Sequence, residues 1–136
     1  KASPVQSILG HSQTIRSILL TLITLFTNNP LMNEPGVQKN DRWARPYSKS
    51  IEYMNYKTAI MNMINQIALP AQFLGFYPVI QNIMKERREN IQKRLETLAR
   101  SKSCTYYVRV YNMTTKVNYQ ALWEKMAPLL LKVCEN

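Results

Sequence analysis

The chain has 136 residues, a formal net charge of +10 and 46% hydrophobic residues, which indicates one folded domain rather than a disordered segment. The excess of positive charge favours an acidic partner or surface. Polar and charged side chains interrupt the most apolar stretch, near residues 15–26, so no membrane-spanning helix is expected. The cysteines, Cys104 and Cys134, form no C-x-x-C motif, and the single histidine, His11, has no nearby ligand partners, so we expect no metal and no cofactor.

The first predicted helix covers residues 12–26, with Ser12 as its N-cap. Isoleucine and leucine recur at helical spacing, so one broad face of this helix should be buried. A proline then prevents the helix from continuing, and two closely spaced turns follow. We expect Leu31 and Met32 to form an apolar plug beneath these turns. The turn residues are Asn29, Pro30, Asn33, Glu34, Pro35 and Gly36.

Three further helices are predicted from the same periodicity. The second covers residues 49–68, with Ser48 as its cap, and the third covers residues 78–100. Asn118 should cap the fourth helix, and Pro128 should kink or split it.

The third predicted helix is strongly basic. One interpretation is a surface that contacts the phosphates of a nucleic acid or an acidic protein. The favoured alternative is a solvated helix face on which glutamates of the same helix pair locally with the cations, so nucleic acid is the weaker candidate partner. The basic side chains of this face are Lys85, Arg87, Arg88, Lys93 and Arg94.

Residues 104–112, with the sequence CTYYVRVYN, alternate between the two sides of a strand. A lone strand is not stable, and the sequence does not identify a partner strand. The predicted fold class is therefore mainly α, with about four helices and one short strand-like segment.

The order of these elements resembles the second half of the ubiquitin-conjugating enzyme domain. The N-P-x-x-N-E-P-G turn is similar to that of the large members of this family. QTIRSILLTLITLF looks like the family's helix after the active site, YSKSIEYMNYKTAIMNMI like the next helix, and VNYQALWEKMAPLLLKV like the terminal helix. The resemblance implies one unit over 1–136. Its parts are an approach segment at 1–11, two helices and the double turn at 12–70, and the basic helix, strand and terminal helix at 71–136.

The resemblance also implies where the active site should be, but the sequence has no nucleophilic cysteine at that position. Family members carry ubiquitin as a thioester on a cysteine, but the nearest position in this sequence is Val5, which cannot form one. The family's upstream His-Pro-Asn segment has no counterpart, so we expect no catalytic residue in this chain. Cys104 is the weak alternative, because reactive cysteines occur next to cations and Arg100 and Lys102 lie close to it in the sequence. Family resemblance assigns ubiquitin or partner binding to Thr14, Arg16 and Ser17.

The sequence thus leads to one main hypothesis and two alternatives. The main hypothesis is a catalytically inactive or incomplete ubiquitin-conjugating-enzyme-like domain of the cytoplasm or nucleus, which acts in protein binding or assembly. The alternatives are a portion of an active conjugating enzyme whose catalytic half lies upstream, and a basic structural protein of a virion or nucleoprotein particle. Since the helices of this family pack partly against a sheet, apolar side chains should be left uncovered here and need a protein partner. The side chains concerned are Ile15, Leu19, Leu22, Met63 and Ile67.

Overall fold

A computed structural model describes residues 14–38 and 40–135. These residues form four α-helices and one two-stranded antiparallel sheet, which confirms the mainly α fold class. The elements are α1 (Ile15–Thr24), α2 (Ala44–Met54), α3 (Tyr77–Ala99), β1 (Cys104–Val108), β2 (Met113–Val117) and α4 (Tyr119–Glu135).

The start of α1 differs from the prediction. Thr14 is the N-cap, and its hydroxyl oxygen accepts a hydrogen bond from the Ser17 backbone N–H at 3.2 Å. The predicted cap, Ser12, lies outside the described residues. The helix ends at Thr24, two residues earlier than predicted, with Leu25 as its C-cap.

The start of α2 was predicted wrongly, because Ser48 lies inside the helix rather than at its cap. The helix begins five residues before residue 49, where the Asp41 carboxylate accepts a hydrogen bond from the Trp43 N–H at 2.8 Å. Pro46 is tolerated in the first turn, since the N–H that it lacks would have no intrahelical partner there. After α2 the chain continues as a π-helix over Asn55–Asn62, whose wider turns are not encoded in any apolar spacing.

The main hydrophobic core lies where α3 and α4 pack together. Leu95 of α3 and Met126 of α4 are completely buried, and Leu130 of α4 is almost completely buried. Asn118 caps α4 as predicted, because its side-chain oxygen accepts a hydrogen bond from the Ala121 N–H at 3.0 Å. Pro128 does not split the helix, since buried side chains on both sides of it hold α4 against the core.

The strand-like segment finds its partner immediately downstream. Met113–Val117 pairs with Cys104–Val108, in a register that places Val108 opposite Met113. Asn112 makes the tight connection with a φ of 47°, a left-handed conformation that asparagine adopts more readily than most residues. Val108 and Val117 are buried, and the hairpin packs against α2.

Candidate protein-binding site

The apolar face of α1 is exposed along its whole length. No residue of this helix is buried; Ile15 is 79% exposed and Leu22 is 47% exposed. At 100° per residue, five of the large apolar side chains of the helix cluster within an arc of about 140°, and a sixth, Leu20, lies outside this arc. We call this surface the apolar arc of α1; it comprises Ile15, Ile18, Leu19, Leu22 and Ile23.

Of the three residues predicted to bind a partner, Thr14 and Ser17 lie on the polar side of α1, and Arg16 lies at the border of the apolar arc. Thr14 and Ser17 are joined by two local hydrogen bonds, because the Ser17 hydroxyl also donates to the Thr14 carbonyl at 2.8 Å. Their observed role is therefore to cap the helix. Arg16 is exposed and stands between the cap and the apolar arc on the helical projection.

The double turn anchors α1 to the rest of the domain. Pro30–Asn33 forms a short 3-10 helix, and Leu31 is completely buried while Met32 is 45% exposed, so the predicted plug consists of Leu31 alone. Asn33 donates a side-chain hydrogen bond to the carbonyl of Leu25 at 2.8 Å, which fixes the end of α1. Gly36 has a φ of +83°, as expected for the second turn.

Aromatic contacts continue this anchorage towards the hairpin. Tyr111 packs against Tyr47 of α2 with ring centroids 5.3 Å apart. Burial and the neighbouring Glu34 carboxylate raise the pKa of the Tyr111 hydroxyl above its usual range. The double turn, α2 and the hairpin thus pack together as one continuous unit.

A charged cluster joins α2 to α3. Glu52 accepts hydrogen bonds from Lys49 at 2.9 Å and from Arg94 at 2.7 Å. Desolvation raises the pKa of Glu52, but the hydrogen bonds and charges of both cations outweigh it and hold that pKa below its usual value. Sequence reasoning missed this pair, because Glu52 lies 42 residues from Arg94 in the chain.

The basic residues of the third helix do not share one face. At 100° per residue, Arg87 and Arg94 lie on the flank towards α2, whereas Lys85 and Arg88 lie on the opposite flank. Lys93 points away from the core. The two ion pairs found in the described part of the chain both use Glu52, and neither is a local pair within α3. The helix is therefore not one continuous basic stripe.

The described residues offer little catalytic chemistry. Cys104 is an exposed free cysteine at the start of β1. Residues 14–38 and 40–135 contain no group of His, Cys, Asp and Glu side chains that could hold a metal ion. Val5, at the position of the family nucleophile, and His11 lie outside the described residues.

Comparison of the sequence with protein-family models and with curated proteins gave no match. Within the described ranges, no helix is both long enough and apolar enough to cross a membrane.

Proposed function

We propose that this chain is the helical half of a ubiquitin-conjugating-enzyme-like domain that acts in protein binding and assembly rather than in catalysis. The proposal joins the resemblance of the N-P-x-x-N-E-P-G turn and its flanking helices to the surface properties of α1. In this proposal α1 is the docking element, with a protein partner on its apolar arc and a ubiquitin-like protein on its polar side.

The observation that supports the proposal most strongly is the exposed apolar arc of α1. A helix with a broad apolar face normally buries that face against another element. Here the arc carries five large aliphatic side chains that are each more than 40% exposed. Contiguous apolar surface of this kind is rare on soluble monomers and is typical of protein interfaces. Ile67, which is 74% exposed beyond the π-helix, adds a further uncovered side chain, whereas Met63, which the resemblance implied would also be uncovered, is half-buried.

The distribution of charge supports a protein partner over a nucleic acid. Phosphate-backbone binding requires several cations along one surface. Arg94 is already paired with Glu52, and the other α3 cations are divided between separate sides of the helix.

The alternative of an active conjugating enzyme shares the same helical half. It differs from the main proposal in requiring a nucleophilic cysteine upstream of Lys1. The genomic reading frame upstream of that residue therefore distinguishes the two: a cysteine preceded by a His-Pro-Asn segment favours the active enzyme.

Titration of the isotope-labelled chain with ubiquitin tests the recognition step. We expect backbone amide signals of Thr14, Arg16 and Ser17 to shift, and the charge reversal Arg16→Glu to weaken binding. The matched control is Lys93→Glu, which reverses an exposed charge on α3 and should leave binding unchanged. Absence of shifts in α1, or equal effects of the two variants, would contradict ubiquitin recognition by this helix.

A further inference from the structure

One segment of this basic chain contains no charged residue at all. The 27 residues from Thr58 to Met84 include no Asp, Glu, Lys, Arg or His, although charged residues make up 19% of the sequence. The segment covers the end of the π-helix, a 3-10 helix over Ala71–Phe76 and the first two turns of α3. Such a stretch is unusual on a solvated surface, where charged side chains are normally frequent.

The surface of this segment carries a group of exposed aromatic and aliphatic side chains. Phe73 and Phe76 have ring centroids 6.3 Å apart, and Phe76 is 61% exposed. The Tyr77 hydroxyl donates a hydrogen bond to the Ile64 carbonyl at 2.7 Å, which ties the start of α3 to the end of the preceding helical segment. We call this surface the apolar tip; its exposed large side chains are Phe73, Leu74, Phe76, Val79 and Ile83.

Part of the tip forms a stripe along α3. Phe76, Val79 and Ile83 recur at helical spacing on one flank and extend over about 10 Å of the helix axis. Arg87 continues the same flank about 6 Å beyond Ile83. Glu86 projects about 100° around the helix from Arg87, so the cation and not the carboxylate follows the apolar stripe.

One exposed cation, Arg87, borders the tip on the flank of its stripe. Lys85 and Arg88 lie on the opposite flank of α3, and Lys57 lies beside residues 113–116 of the hairpin. An apolar end followed by an exposed arginine matches the interface of an anionic bilayer, where apolar side chains enter the headgroup–acyl boundary by about 5–10 Å and a cation meets lipid phosphate.

We propose that the apolar tip binds reversibly to the surface of an anionic lipid bilayer. Phe73, Phe76, Val79 and Ile83 enter the boundary region, and Arg87 contacts lipid phosphate. This role is independent of the protein-binding function proposed for α1.

Charge distinguishes the tip from the apolar arc of α1. Arg16 is the single charged residue on α1, and the next charge along the chain is that of Glu34, which an anionic surface repels. The stripe of the tip instead leads directly to Arg87. For this reason we assign the bilayer to the tip and the protein partner to α1.

Flotation of the whole chain with lipid vesicles tests the proposal. We expect binding to vesicles of phosphatidylcholine mixed with phosphatidylserine, and weaker binding to phosphatidylcholine alone. Phe76→Ser and Val79→Ser should each weaken binding to the mixed vesicles about tenfold or more, since each removes a large apolar group from the lipid contact. Arg87→Gln should weaken binding about fivefold, and only to the anionic vesicles.

The matched control is Phe26→Ser, which makes the same change at an exposed phenylalanine next to α1 and should leave vesicle binding unaltered. Circular dichroism confirms that each variant is folded. The proposal is overturned if the native chain does not float with anionic vesicles, if Phe26→Ser weakens binding as much as Phe76→Ser, or if Arg87→Gln has no effect. It is also overturned if Phe76→Ser and Val79→Ser leave vesicle binding unchanged but dissociate a dimer of the chain in solution.

Discussion

Truncation of Leu31 to alanine should destabilise the domain far more than the same change at its neighbour. Leu31 is 0% exposed in the 3-10 helix of the double turn, which packs on α2. The change removes three buried carbon atoms, so the lost transfer free energy is about 2.4 kcal/mol, at about 0.8 kcal/mol per CH2 group. Because a cavity adds to this cost, we expect Leu31→Ala to lower the free energy of unfolding by about 3 kcal/mol or more.

Met32→Ala is the matched control, since Met32 lies in the same turn but is 45% exposed. Its expected cost is below about 1.5 kcal/mol, because much of the side chain already contacts water. Urea unfolding followed by circular dichroism measures both values. Equal destabilisation by the two variants would refute the conclusion that Leu31 alone forms the apolar plug of the double turn.

Three further predictions concern the second turn, the charged cluster and the chemistry. Gly36→Ala should lower the free energy of unfolding by about 1–2 kcal/mol in urea, because alanine is strained at a φ of +83°. Gly75→Ala should not destabilise the domain, since Gly75 has no positive φ and its Cβ position is open. Equal effects of the two changes would contradict this prediction. The pKa of Glu52 is lowered in the folded chain, so the contribution of its carboxylate to stability is complete above the unfolded pKa of 4.5 and is lost as pH falls through the folded pKa. The difference in unfolding free energy between the native chain and Glu52→Gln should therefore shrink on acidification, unlike that for the exposed control Glu86→Gln. A constant difference would be inconsistent with the observed ion pairs. With activating enzyme and ATP, the chain should form no reducing-agent-sensitive ubiquitin adduct; an adduct that disappears in Cys104→Ser would make that cysteine the nucleophile.

Elements fixed by local sequence signals were predicted well. The third helix is observed within one residue of its predicted bounds, and Asn118 caps the fourth as expected. In contrast, the start of α2 was displaced, because the Asp41 carboxylate fixes the turn that leads into the helix at Trp43 and Pro46 is acceptable in a first turn. The preference of serine for N-cap positions had favoured Ser48 as the cap of this helix.

Long-range features were beyond the reach of sequence patterns. The partner strand Met113–Val117 was missed, since its residues MTTKV alternate only weakly in polarity. The Glu52–Arg94 pair depends on how α2 meets α3, which local spacing does not specify. The exposed face of α1 was expected only through the family resemblance; periodicity by itself predicted that the same face would be buried.

Sedimentation of the purified chain at micromolar concentration most directly tests the central claim that α1 is a protein-docking helix. In isolation, the partner available to the apolar arc is another copy, so we expect a mass above the 15.9 kDa of one chain. Leu22→Asp, which places a charge in the arc, should produce monomers, whereas Thr21→Asp, on the polar side of the same helix, should leave the assembly intact. A native chain that sediments as a monomer and unfolds in one cooperative transition would contradict the claim.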